Sequence, residues 1–157
     1  MNNFIGLKRI GQNKKAMEKL LKKKSVATLK KELQEVFNKY IRIRDTKTDK
    51  GQPYFICISC NQPKGLDQMN AGHFWPVGGH EAVRYDEDNV HGQCIYCNNF
   101  ASNGPVMMQY QVNLIKKIGL ERVEKLGARR FNRSKLMAFE LELLIQEYKT
   151  RISNLKP

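Results

Sequence analysis

Cys57 and Cys60 enclose Ile58-Ser59, and Cys94 and Cys97 enclose Ile95-Tyr96, so one Cys-x-x-Cys spacing occurs twice. Thiolates three positions apart on a tight turn converge on one ion, and two such turns complete a closed tetrahedral zinc site. A site with four sulfurs has no open position for a substrate, so its work is structural. It would pin the 33 residues between the pairs, which a small core could not order alone. Inside that closed loop stands His73, in Ala71-Gly72-His73-Phe74-Trp75-Pro76, and Asn98 follows the last cysteine directly. A neutral imidazole can take a proton from water as that water attacks phosphorus. An amide oxygen can coordinate Mg²⁺, a hard cation that prefers oxygen. Taken one at a time, a histidine beside aromatics is an ordinary packed residue and an asparagine at a helix start is an ordinary cap. Their place between and after the cysteine pairs is what raises the chemical reading.

These residues sit in a basic chain. Its 157 residues suit one domain, and its net charge of +13 points to a polyanionic partner, nucleic acid above all. The charge is uneven: residues 1–50 carry +10, residues 51–104 carry −3 and residues 105–157 carry +6. Basic flanks grip phosphates without regard to sequence, and acidic residues near the centre help to hold a hard cation. Solvated helix faces are the plainer account of the same charge. No apolar run approaches the roughly 20 residues of a membrane span, and the N-terminus lacks the apolar region of a signal peptide. The expected setting is cytosolic, where thiols stay reduced, which favours metal over disulfides.

Three stretches are expected to position the site: a basic arm and helix over 1–52, a zinc-bound core over 53–104 and a helical region over 105–157. Lys22-Lys23-Lys24 is the densest basic run. Ser25 is a plausible cap for a helix whose Leu29, Leu33, Val36, Phe37 and Tyr40 recur at helical spacing as far as about Arg44. Residues 45–52 read as a polar turn region. Tyr54-Phe55-Ile56 reads as a strand delivering the first cysteine pair, Pro63-Lys64-Gly65 as a turn, 68–75 as a strand, 77–80 as a flexible loop and 89–93 as a second strand. A helix is expected near Cys97. Pro105 suits a first helical position, with Val106, Tyr110, Leu114 and Ile118 as the stripe of a helix closed by Gly119. A short helix over 120–126 should end at Gly127. Ser134 is expected to cap a last helix with Leu136, Phe139, Leu143, Leu144 and Tyr148 inward. The fold class is therefore α+β: a small zinc-clasped ββα core flanked by basic helices.

On these residues the centre resembles the HNH, or ββα-metal, nuclease superfamily, with His73, Asn89 and Asn98 in its three motif positions. More closely, the chain resembles the phage NinG (Rap) recombination proteins. The stretches that carry this are Tyr40-Ile41-Arg42-Ile43-Arg44-Asp45, Cys57-Ile58-Ser59-Cys60, Ala71-Gly72-His73, Asp86-Glu87-Asp88-Asn89-Val90-His91-Gly92-Gln93-Cys94, Cys97-Asn98 and Ile118-Gly119-Leu120-Glu121-Arg122-Val123. They span roughly residues 25 to 152.

The resemblance implies a structure-specific endonuclease acting on branched DNA, such as Holliday junctions, in the bacterial host cell during phage recombination. His73 would be the general base and Asn89 would orient it. Asn98 would bind the catalytic ion, Mg²⁺ or Mn²⁺. Lys22, Lys23, Lys24, Arg42, Arg129, Arg130 and Arg133 would hold the DNA backbone. A twofold pair of nicks makes a homodimer the economical assembly, with phage or host recombination proteins as further partners. One position departs from the superfamily: the metal-binding Asp that many members place before the histidine is Gly72 here. His91 is the first candidate to replace it, followed by Asp88 and His80. The departure also supports a rival reading, a non-catalytic zinc module that binds branched or single-stranded DNA. An HNH nuclease without branch preference is a third.

Overall fold

The computed structural model describes residues 24–100 and 104–155, so Lys22 and Lys23 lie outside the described residues. Helix α1, Val26–Arg44, begins where expected: the Ser25 hydroxyl accepts the Thr28 N–H at 3.2 Å. Leu29, Leu33, Phe37, Tyr40 and Ile41 recur on one face and are buried. They meet α4, Ala138–Leu155, whose buried face is Leu141, Ile145, Tyr148 and Ile152. Phe37 and Tyr148 pack edge to face with ring centroids 5.0 Å apart. Val90 joins this cluster, so the α1–α4 pair also covers the central ribbon.

The polar stretch after α1 is a hairpin rather than a simple turn. Strands β1, Lys47–Asp49, and β2, Gln52–Ile56, pair antiparallel across Lys50-Gly51. Both turn residues have positive φ, 46° and 79°, the backbone that two-residue hairpins require and that glycine adopts without strain. The expected turn at 63–65 is a strand as well: β3, Pro63–Gly65, completes a three-stranded sheet in the order β1-β2-β3. Proline is tolerated there because β3 is an edge.

A separate two-stranded ribbon carries the histidine. Strands β4, Met69–His73, and β5, Val90–Cys94, pair antiparallel with Gly72 opposite His91 and His73 opposite Val90. The helix expected near Cys97 is a single wide turn, Tyr96–Phe100. Helix α2, Pro105–Ile118, starts on its proline as expected and buries Tyr110, Asn113 and Leu114. Helix α3, Leu120–Arg129, runs through Gly127 instead of ending there. With Ile58, Phe74 and Val83, these helices form a second core of Tyr110, Leu114, Val123 and Leu126.

Two expectations for the last helix are corrected. Ser134 does not cap it. The helix begins at Ala138, and the Glu140 carboxylate accepts the Met137 N–H at 2.7 Å. Phe139 and Leu143 are exposed, while Leu141, Ile145 and Ile152 take the inward places. Apolar residues at 139, 141, 143, 144 and 145 cover more than one helix face, so periodicity alone does not choose the buried one.

Candidate functional site

The four cysteine sulfurs all lie within 4.8 Å of one another. Tetrahedral zinc with bonds of about 2.3 Å needs sulfurs roughly 3.8 Å apart, so the donor set suits such an ion. The four cysteines could hold a metal such as zinc. The first pair sits on a tight turn in which Asn61 N–H reaches the Cys57 carbonyl at 2.9 Å and Asn61 takes φ of 55°. The second pair is joined to it by the Cys94 N–H, 3.3 Å from Cys57 Sγ. Helix α2 braces the turn, because the Asn113 amide donates to the carbonyls of Ile58 at 2.9 Å and Ser59 at 3.2 Å. Burial and the three neighbouring sulfurs push the Cys97 thiol well above its ordinary value, so a cation is what would favour the thiolate form.

Beside this centre is an open cleft of about 550 Å³ lined by His73, Asn98, Gln93, Arg84, Gln34, Asn38 and four less polar neighbours. His73 and Asn98, far apart in sequence, therefore face one space. His73 is half-buried at the end of β4, and its Nε2 is 3.1 Å from the Arg84 carbonyl. A carbonyl only accepts, so Nε2 carries the hydrogen and Nδ1 keeps its lone pair. Burial is the main influence on this imidazole and lowers its pKa, with the Arg84 charge acting the same way against the raising carbonyl bond. The ring is thus neutral at pH 7, the form a general base needs. Asn98 donates its Nδ2 to Asn99 Oδ1 at 2.9 Å, and among the described residues its Oδ1 has no partner.

Asn89 is fully buried and bridges the loop between the strands. Its Oδ1 accepts the Trp75 N–H at 2.7 Å, and its Nδ2 donates to the carbonyls of Trp75 at 3.1 Å and Val83 at 2.9 Å. It makes no direct bond to His73. It fixes Val83, whose neighbour Arg84 supplies the carbonyl that holds the imidazole. The Tyr110 hydroxyl adds a bond to the Gly72 carbonyl at 2.9 Å, steadying the strand one residue before His73.

The three candidates for the missing carboxylate lie elsewhere. His91 is on the opposite face of the ribbon from His73, as strand alternation requires, and is 2% exposed. Its Nδ1 is 2.9 Å from Arg44 Nη2 and its Nε2 is 3.2 Å from the Asp88 carbonyl, so both nitrogens are taken and a guanidinium stands where a cation would bind. Asp88 pairs with Arg122, with Arg122 Nε 3.0 Å from its Oδ2. His80 packs between the rings of Trp75 and Phe131 at 5.4 and 5.2 Å.

Among the basic residues expected to hold DNA, Arg42 and Arg133 are exposed. Among the described residues the Arg42 side chain bonds only the Leu66 carbonyl, at 3.3 Å. Lys24 pairs with Glu32 at 2.5 Å. Arg129 is partly neutralised by Asp86, 2.8 Å away, and Arg130 stacks over Trp75 at 4.5 Å and Phe131 at 4.3 Å. Arg130 therefore clamps the end of α3 onto the loop after His73. Arg84, which the sequence does not mark, also lines the cleft; its Nε donates to Gln34 Oε1 at 2.7 Å and its Nη1 is 3.4 Å from Glu81 Oε2. No spacing rule marks it, because the loop that carries it is set by Asn89.

The hub behind the ribbon is likewise unmarked in the sequence. Asp45 Oδ2 accepts the Gly92 N–H at 2.7 Å and Arg44 Nη2 at 3.0 Å, and its Oδ1 accepts Lys117 Nζ at 3.1 Å. Arg44 in turn donates to the Glu87 carbonyl at 3.1 Å and the Val90 carbonyl at 2.8 Å. Burial would raise the Asp45 pKa, but His91, Arg44 and Lys117 outweigh it and hold the carboxyl well below the usual range. Its contribution is therefore present above the unfolded pKa near 3.8 and is lost as pH falls further. Asp45→Ala takes the carboxylate from the half-buried Arg44 guanidinium and leaves the buried Gly92 amide without its partner. It is expected to cost about 3–5 kcal/mol in urea unfolding at pH 7; a change below about 1 kcal/mol would remove the hub from the account.

The fold and site define a small α+β protein built around a four-cysteine centre. The profile of the family described as Bacteriophage Lambda NinG protein matches residues 8–157, and the chain belongs to that family. The chain is 30% identical over 126 residues to Protein ninG of Escherichia phage lambda, a stretch covering 80% of this chain and 56% of that protein. It is 29% identical over 126 residues to Protein ninG of Salmonella phage P22, covering 80% and 57%. The chain thus spans little more than half the length of the curated relatives it matches. No solved structure matches it. Among the described residues, no helix is long and apolar enough to cross a membrane.

Proposed function

We propose that the chain is a structure-specific endonuclease of the ββα-metal (HNH) type that cuts branched DNA of the Holliday-junction kind in phage recombination. The observation that carries this is the convergence of a neutral His73 with a free Nδ1 and the Asn98 amide on one cleft beside the cysteine centre. Nδ1 takes the proton of a water whose oxygen attacks phosphorus, and the bond to the 3′ oxygen breaks. A bound Mg²⁺ or Mn²⁺ would polarise a non-bridging oxygen and offset charge on the leaving group. Asn89 keeps the loop that aims His73, and Arg84, itself paired with Glu81, holds the imidazole through its carbonyl. Zinc in the four-cysteine site would staple the two halves of the ribbon. Exposed Arg42 and Arg133 would contact backbone phosphates, so recognition follows branch shape. Two such chains in a homodimer would place two nicks by symmetry.

A specific observation also favours the binding-module reading: position 72 has no side chain, so the usual metal-binding carboxylate is missing. The full chain incubated with a labelled four-way junction and a linear duplex of the same sequence, Mg²⁺ or Mn²⁺ present, separates the readings. Preferential junction nicking is expected. Tight junction binding without cutting would favour the binding module, and equal cutting of both DNAs would favour a plain nuclease.

The depressed His73 pKa sets the pH profile. Deprotonation is required for activity, so kcat/KM should rise with pH through a midpoint below the ordinary histidine value of 6.5 and then level off. A limb centred above that value would mean that another group provides the base.

A further inference from the structure

Gln93 lies on β5 opposite Asn70, on the face that carries Gly72 and His91 rather than that of His73, but its carboxamide lies over Gly72, where no side chain stands in its way. It is 3% exposed, yet it lines the cleft that His73 and Asn98 share. Its Nε2 donates to Ser59 Oγ at 2.7 Å, and Ser59 stands between the first two cysteines with its carbonyl held by Asn113. One end of the amide is therefore anchored to the cysteine turn, and Oε1 is the end left over. A Cβ added at Gly72 would come within 2.0 Å of that oxygen and 2.7 Å of Gln93 Cβ. The carboxamide oxygen thus occupies the space in which any side chain at position 72 would begin. Gly72 and Gln93 form a matched pair: the glycine vacates the place that the glutamine fills.

We infer that Gln93 supplies, through Oε1, the cation ligand that a carboxylate at position 72 would otherwise provide, and that it does so together with Asn98 Oδ1. This rests on the hydrolytic reading above. Both donors are neutral oxygens, which suits Mg²⁺ or Mn²⁺ and predicts a weak site, since affinity for hard cations grows with ligand charge. Ser59 makes the cysteine turn a direct support of the cation site, because a shift of that turn moves the amide.

The test is Mn²⁺ binding by the full, zinc-loaded chain, followed by electron paramagnetic resonance of free Mn²⁺ in the absence of DNA. Gln93→Glu adds a charge at the same reach, and the Ser59 hydroxyl, which accepts from the amide, can turn to donate to the carboxylate. It is expected to tighten Mn²⁺ binding about tenfold, and Gln93→Ala to weaken it by at least about that factor. His73→Ala should leave it unchanged. Circular dichroism and zinc content report folding, and Gln93→Glu keeps the test valid if the alanine variant misfolds. Equal Mn²⁺ affinity in wild type and Gln93→Glu, with wild type cutting junctions, overturns the role of Gln93 and leaves the hydrolytic reading in place. A wild type that neither binds Mn²⁺ nor cuts overturns both.

Discussion

The His73→Ala protein is expected to nick a labelled four-way junction about 10²–10⁴-fold more slowly than the wild type, the range that loss of a general base commands. The size follows from the role proposed for His73. Its Nε2 hydrogen is spent on the Arg84 carbonyl, so Nδ1 is the basic atom, and burial keeps it unprotonated near neutrality. Neither Asn98 nor Gln93 can take its place, because an amide is not a base at pH 7. The structural cost should be small. The side chain is half-buried and gives up one hydrogen bond, worth about 0.5–1.5 kcal/mol. Junction binding and the melting temperature should therefore change little, which separates lost chemistry from a lost fold. A variant that cuts at the wild-type rate would move the base to another residue.

Removing the ion from the cysteine centre is expected to have the largest effect on folding. Structural zinc contributes roughly 10–16 kcal/mol in zinc-finger peptides near neutral pH, as much as the whole stability of an ordinary domain. Here the four sulfurs join the turn after β2 to the end of β5. Their apolar surroundings are thin, Phe55 and Met69 being the two buried non-cysteine residues of that cluster. Chelation should release about one ion per chain and unfold the β4–β5 ribbon, while the α1–α4 pair, packed through its own aromatic cluster, melts later. Elemental analysis combined with amide hydrogen exchange reads both events. Unchanged exchange in the ribbon after complete metal loss would show that packing alone holds it.

The parts legible in the sequence were those fixed by local rules. Ser25 announced the start of α1, and Pro105 and Gly119 bracketed α2, because capping and helix-breaking are properties of single residues. The repeated cysteine spacing announced the cluster of four sulfurs, which could hold a metal such as zinc. The shared cleft of His73 and Asn98 agrees with their order around the cysteines. What the sequence hid depends on partners distant along the chain. The inward face of α4 is chosen by α1, the pairing of β3 by β2, and the burial of His91 by Arg44 and Asp88. The Arg44-Asp45 pair looked like the end of a helix and is the link between α1, the ribbon and α2. Basic residues were legible as charge but not as free charge: Arg129 and Arg122 are paired with the acidic run 86–88, which lies next to Asn89.

The most direct measurement is single-turnover incubation of the full, zinc-loaded chain with an end-labelled four-way junction in Mg²⁺ or Mn²⁺. Nicks near the branch point, ending in a free 3′ hydroxyl, are expected, and they should vanish when the divalent ion is withdrawn. A junction that is bound yet stays intact under both metals would contradict the hydrolytic reading.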